Sequence, residues 1–229
     1  MSMEGCSSLL RGTADLLSCK VQNTMKTLEQ VIQNIEQDPR NQSYTERHIP
    51  PFFQIHEHAR ILIVGQAPGR KAEESLIPFH DISGKVLMEW LGMSPEEFYG
   101  PDTSIMPMDF YYPGKGRSGD LPPRSFIAET YHADLLALMP EIELTVLIGR
   151  YACAYYLKSR QKQNLTETVR NYQEYLPEYF PITHPSPLNQ RWRKNHPWFL
   201  DETIPALKEQ VAFIRQENQK ETEGRIKCW

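Results

Sequence analysis

No two of the four cysteines (Cys6, Cys19, Cys153 and Cys228) form a CxxC pair. That spacing argues against a zinc ribbon or a cysteine-held cluster and fits reduced thiols in a cytosol. A hydrophobic signal core is also missing. Met1 to Lys20 holds one short apolar pair and a polar, acid-containing middle, and no later stretch approaches membrane-spanning length. Nor is there an excess of positive charge. The 229 residues carry a formal charge of −4, so no global field favours nucleic acid and any DNA-binding surface has to be local. Internal repeats and low-complexity blocks are absent too. What remains is a chain long enough to bury a substantial core in one compact domain, with a cytoplasmic enzyme as the default expectation.

Residues 1–24 have weak periodicity and are compatible with a disordered arm. Residues 25–219 read as a single domain and 220–229 as a tail. From Met25 onward, Leu28, Val31, Ile32 and Ile35 fall on one helical face. Asp38 to Pro51 is polar, ends in Pro-Pro and reads as a connector. A continuously apolar strand over Ala59–Val64 is expected to be buried on both faces. A helix follows over Ser83–Leu91, then strands over Thr103–Met108, Glu143–Ile148 and Tyr179–Thr183. Further helices are expected over Arg124–Met139, Gly149–Leu157 and a final segment carrying Leu200, Ile204, Leu207, Val211 and Ile214, with 215–227 fraying. Tyr111–Pro123 reads as a loop rich in glycine, proline and basic residues. Strands alternating with helices imply an α/β fold: a three-layer α/β/α sandwich around a central, mostly parallel, four-stranded sheet.

Two stretches carry chemistry. Gly65-Gln66-Ala67-Pro68-Gly69 follows the first strand, and His184-Pro185-Ser186-Pro187-Leu188-Asn189 follows the last. In an open α/β sheet, ligand sites form at such strand ends. Gly65, Gly69 and Pro68 make a tight, stiff loop. Downstream, Pro78-Phe79 offers an aromatic face, His80-Asp81 ionisable groups, and Ser83-Gly84 the opening of a helix, with Ser83 as its cap and a possible phosphate seat. An ordinary βα loop with a capping serine would look the same. In the second stretch, Leu188 sits at the tip of a proline-stiffened loop beside Arg191, Arg193 and Lys194, with Trp192 and Trp198 interleaved. An apolar tip beside basic residues matches the wedge-and-phosphate arrangement of proteins that open a duplex. A structural histidine and core tryptophans are the plainer alternative.

This pair of motifs resembles the uracil-DNA glycosylase superfamily, over roughly residues 59–215, and is most similar to its unclassified bacterial members. GQAPG resembles the first motif of the branch that carries an iron–sulphur cluster, with Gln66 standing where that branch has a catalytic glutamate. PFHDISG resembles both the Pro-Phe segment of that branch and the Asp-x-Ser-Gly of another, which places a catalytic aspartate at Asp81. HPSPLN is close to the second motif of the single-strand-selective and main branches. The cluster cysteines are absent, so no cofactor and no metal are expected. The main branch has its catalytic aspartate where this chain has Ala67, and Pro107 stands in place of a uracil-reading asparagine.

The resemblance implies removal of uracil or a related deaminated base from DNA. His184 would donate a hydrogen bond to the departing base, Asp81 would stabilise the sugar cation and position water, and Gln66 could orient that water. Phe79 would stack on the base, with Ala67, Pro107 and Asp109 beside it; Asp109 could accept from a base N–H. Ser83, Gly84, Ser186, Asn189, Arg191 and Lys194 would hold DNA, with Leu188 filling the vacated space and Lys115 and Arg117 on the opposite lip. The expected partner is DNA carrying a damaged or deaminated base, with no membrane, and the chain is expected to be a monomer. Two other readings stand. One is a DNA- or nucleotide-binding protein that has lost catalysis, favoured by Gln66 and Pro107. The other is an unrelated phosphate-ester enzyme using the glycine-rich loop, for which Arg70-Lys71-Ala72-Glu73-Glu74 supplies ligands only loosely.

Overall fold

The computed structural model describes residues 26–117 and 119–226; the N-terminal arm, Cys6, Cys19 and Cys228 lie outside them. In chain order the described elements are α1 (Leu28–Gln37), α2 (Gln42–Thr45), β1 (Ile61–Val64), α3 (Arg70–Ser75), α4 (Ile82–Leu91), α5 (Pro95–Phe98) and β2 (Thr103–Ile105). There follow α6 (Ser125–Ala137), β3 (Leu144–Ile148), α7 (Gly149–Leu157), α8 (Leu165–Arg170), β4 (Tyr179–Ile182), α9 (Gln190–Asn195) and α10 (Ile204–Ile226).

The four strands form one parallel sheet in the order β2-β1-β3-β4. Ile61 lies opposite Thr103 on one side and Leu144 on the other, and Thr145 opposite Tyr179. Strands with both faces covered need no polar alternation, and β1 and β3 are buried throughout. Successive side chains point to opposite faces. Leu62, Val64 and Leu147 join a core with α1, α6 and α7, whereas Ile61, Ile63, Val146 and Ile148 join a second core with α4 and α10. The result is the expected α/β/α sandwich. The crossover from β1 runs outward to β2 and then back past β1 to β3, so the order reverses beside β1 and leaves a crevice at the C-terminal strand ends.

Several boundaries differ from the sequence reading, each for a local reason. The connector 38–51 contains α2, whose Tyr44 is buried with its ring stacked on Tyr111 at 4.4 Å. β2 ends at Ile105 instead of Met108 because Pro107 has no N–H for a ladder. The chain nevertheless continues along β1, with the Met106, Met108 and Asp109 amides donating to the Ile63, Gly65 and Gln66 carbonyls at 2.9, 2.9 and 3.1 Å. Ser83 does not cap α4. Asp81 does, its Oδ1 accepting from the Gly84 amide at 2.9 Å, and Ser83 lies inside the first turn. Leu200 is not a core residue. A π-turn over Phe199–Thr203 shifts the helical register, so Phe199 is buried while Leu200 is exposed. The final helix then runs on to Ile226 through the stretch expected to fray. No helix among the described residues is long and apolar enough to cross a membrane.

Candidate active site

The ends of β1, β2 and β4 converge on a cleft of about 190 Å³ lined by Gly65, Ala67, Pro68, Phe79, Pro107 and His184, with Asp81, Ser83, Asp120 and Ser186 around it. Typical small-molecule sites enclose about 300–1,000 Å³. This one has room for a single ring system and little more.

Phe79 is placed by glycine on two sides. A Cβ on Gly65 would lie 3.1 Å from Phe79 Cζ, so the bare backbone lets the ring close over the end of β1. On the other side, a Cβ on Gly84 would stand 1.7 Å from the Phe79 carbonyl oxygen, so no other residue fits there. Gly84 is therefore a buried support for Phe79 and not the DNA contact expected from the sequence. Phe79 and Leu76 both adopt left-handed backbone, with φ of 53° and 54°, a strained conformation for non-glycine residues that persists where the surroundings enforce it. Tyr99 helps: its hydroxyl donates to the Pro78 carbonyl at 2.7 Å, and Phe98 packs edge-on to Phe79. Beyond this Pro78–Phe79 wall lies an open groove of about 850 Å³, with Leu76, Ile77 and Ile82 beside Lys71 and Lys85.

His184 follows β4. Its Nδ1 accepts from the Ser186 amide at 3.1 Å, which fixes the neutral tautomer with the proton on Nε2. Burial lowers its pKa below the ordinary 6.5, partly opposed by the charges of Asp81 and Asp120. The loop beyond is tied down by its own side chains. Ser186 Oγ accepts from the Leu188 amide at 3.2 Å, Asn189 donates to the His184 carbonyl at 2.8 Å, and Arg193 donates to the Ser186 carbonyl at 3.2 Å. Asn189 thus spends its amide on the loop. Leu188 stands at the tip, 84% exposed, and Arg191 and Lys194 are exposed on α9. Trp192 and Trp198 follow the plainer alternative. Both are partly buried against the α10 core, and the Trp192 indole donates to Thr166 at 3.0 Å.

Two site expectations fail. Asp109 does not face the cleft. It is fully buried, with its carboxylate paired to Arg124 through Nε and Nη2 at 2.8 and 2.7 Å and receiving the Tyr111 and Arg124 amides. A charge so enclosed survives only when paired, and this one staples together the two ends of the loop 111–123. Gln66 does not line the cleft either; its amide donates to the Leu121 carbonyl at 3.2 Å. That bond docks the same loop on the first motif and brings Asp120 to the mouth of the cleft. Asp120 was missed by the sequence reading, and its signal is slight: it is the only acid in the stretch Pro113–Pro123. Lys115 and Arg117 are exposed on this loop.

Pro107 lines the cleft and offers no N–H to a base. Its carbonyl is occupied by the buried His132, whose Nε2 lies 3.1 Å away while Nδ1 faces the Tyr156 hydroxyl at 2.8 Å. A carbonyl only accepts, so Nε2 carries the proton and Tyr156 donates to Nδ1. Burial pushes the His132 pKa down to about 4. On acidification the unfolded chain takes up this proton first. The stability that His132 contributes is therefore complete above 6.5 and lost as pH falls towards 4, by about 3 kcal/mol. In urea melts between pH 7 and 4, His132→Phe should be destabilised at pH 7 yet lose this part of the wild-type slope. An unchanged slope would contradict a neutral His132.

The fold and the cleft define an α/β protein with a one-ring pocket at its strand ends. The family model of the uracil DNA glycosylase superfamily matches residues 51–208, and the chain belongs to that superfamily. Among solved structures, it is similar to a candidate uracil DNA glycosylase from Methanosarcina acetivorans, at 15% identity and a TM-score of 0.43, over 70% of this chain and 98% of that one.

Proposed function

We propose that this protein is a DNA glycosylase that hydrolyses the N-glycosidic bond of uracil or a related deaminated base in DNA, as base excision repair requires. The observation that carries this reading is His184, a neutral imidazole in a single-ring cleft that uses Nδ1 internally and keeps Nε2–H as its donor. Breaking the bond sends its electron pair onto the base. A donor already in place where that charge develops is worth several kcal/mol, because nothing has to reorganise.

The target nucleotide leaves the stack to reach such a site. Phe79 provides the stacking face, Ala67 and Pro107 the walls, and Leu188 the apolar wedge for the vacated space. Ser186, Arg191, Lys194, Lys115 and Arg117 contact phosphates, and Ser83 lines the cleft along with Asp81 and Phe79. A carboxylate at the cleft mouth favours the cationic sugar and positions water. Oligonucleotides containing uracil, hypoxanthine or xanthine, incubated with the protein and heated in alkali, should break at the modified base. If none breaks although the DNA is shifted on a gel, the protein binds DNA without cleaving it and the enzymatic reading is wrong.

A further inference from the structure

The first motif, GQAPG, contains no acid, yet two carboxylates reach the cleft from elsewhere. Each keeps Oδ2 without a hydrogen bond among the described residues, but the two are held differently. Asp81 caps α4, with Oδ1 on the Gly84 amide at 2.9 Å. Asp120 caps no helix. Its Oδ1 accepts a single long bond, from the Tyr112 hydroxyl at 3.2 Å, and no hydrogen bond to Oδ2 is present among the described residues. Resting on the glycosylase reading above, we propose that Asp120 is the carboxylate that takes the proton of the attacking water, supplying from a separate loop the acid that the first motif lacks.

Three sets of contacts hold Asp120 in place. Gln66 donates to the carbonyl of its neighbour Leu121, so Asp120 sits directly beside the first motif. Within the loop, the Asp120 backbone forms an isolated antiparallel β-bridge with that of Lys115, the Gly116 amide donates to the Gly119 carbonyl at 2.8 Å, and the Leu121 amide donates to the Gly114 carbonyl at 2.9 Å. The Asp109–Arg124 pair closes the base of the loop. A carboxylate on a closed, docked loop is held in position without losing its free oxygen, which a general base needs. In the reaction the C1′–N bond breaks and its electron pair leaves with the base, whose oxygen accepts from His184 Nε2–H. The water oxygen bonds to C1′, and Asp120 takes the water proton. The products are an abasic sugar bearing a 1′-hydroxyl and a base anion, which is reprotonated by solvent.

The test is single-turnover excision on whichever modified oligonucleotide the wild type cleaves, with thermal melts as a control for folding. Asp120→Asn should slow the chemical step about 100-fold while affinity for an uncleavable DNA stays within about twofold. Asp81→Asn, which keeps the cap because asparagine caps a helix as well as aspartate does, should lose less of the rate than Asp120→Asn. Added formate should restore part of the activity of Asp120→Ala, an effect that a purely structural residue would not show. A cleaving wild type whose Asp120→Asn variant keeps a third or more of the rate overturns this assignment alone. So does a 100-fold loss in Asp81→Asn in place of Asp120→Asn. A wild type that cleaves none of the oligonucleotides overturns the glycosylase reading, and this assignment with it.

Discussion

His184→Ala is expected to lower the rate of base release by about 10²–10³-fold, the usual cost of removing one preorganised donor from a developing negative charge. The loss should fall on the chemical step, because a donor to the departing base acts where charge develops in the transition state. The tautomer sharpens this expectation. With Nδ1 bound to the Ser186 amide, protonation of the ring would cost that bond. Burial already holds the pKa below 6.5. Activity that depends on the neutral ring should therefore be complete at neutral pH and fall as pH drops through that lowered pKa. Single-turnover rates measured from pH 8 to 5 for the wild type and His184→Ala test both parts. A variant within tenfold of wild type would remove His184 from the mechanism.

Asp109→Asn is expected to cost about 3 kcal/mol of stability. Removing one partner of a buried ion pair leaves the other charge uncompensated, at about 3–5 kcal/mol, and the lower end applies because Arg124 keeps 24% of its side chain exposed. For a chain of this size, that corresponds to a fall of about 6–12 °C in Tm. The effect should also extend beyond stability. Arg124 donates to Asn41 at 2.9 Å and to the Arg40 carbonyl at 3.3 Å, so the same guanidinium ties the loop 111–123 to the N-terminal segment. A thermal melt gives the first number, and excision well below the new Tm shows whether the loop keeps its place. A double-mutant cycle with Arg124→Gln should show strong coupling, the pair costing much less than the sum of the single changes. Additive losses would mean that the staple is not a unit.

The sheet could be read from the sequence because its signals are local. Ile61-Leu62-Ile63-Val64 and Leu144-Thr145-Val146-Leu147-Ile148 are apolar runs of strand length, and a strand buried on both faces needs nothing else to announce it. His184 was legible for a similar reason, since prolines and a tip leucine surround it in sequence. Asp81 lies at the cleft, but its bond to Gly84 depends on where α4 begins, a boundary that Ser83 and Asp81 compete to set. Asp109 was misread because its partner lies fifteen residues away, and nothing in the local pattern says that a carboxylate after a strand will be buried. Asp120 was missed on the same ground. Its loop is docked at the cleft in part by the bond from Gln66 to the Leu121 carbonyl, a contact across fifty-five residues.

β1 is paired on both sides, by β2 and by β3, and its Ile63 carbonyl also accepts from the Met106 amide just before Pro107. In a folded protein, amides of that kind exchange with solvent only through the largest openings, while peripheral segments open at much lower cost. The parts around the cleft divide along this line. The Met106 and Met108 amides on either side of Pro107 should exchange slowly, whereas 76–81 and 185–189 are tied by fewer bonds and should exchange faster. The floor of the cleft and the segments at its rim should therefore open on different timescales, the rim long before the floor.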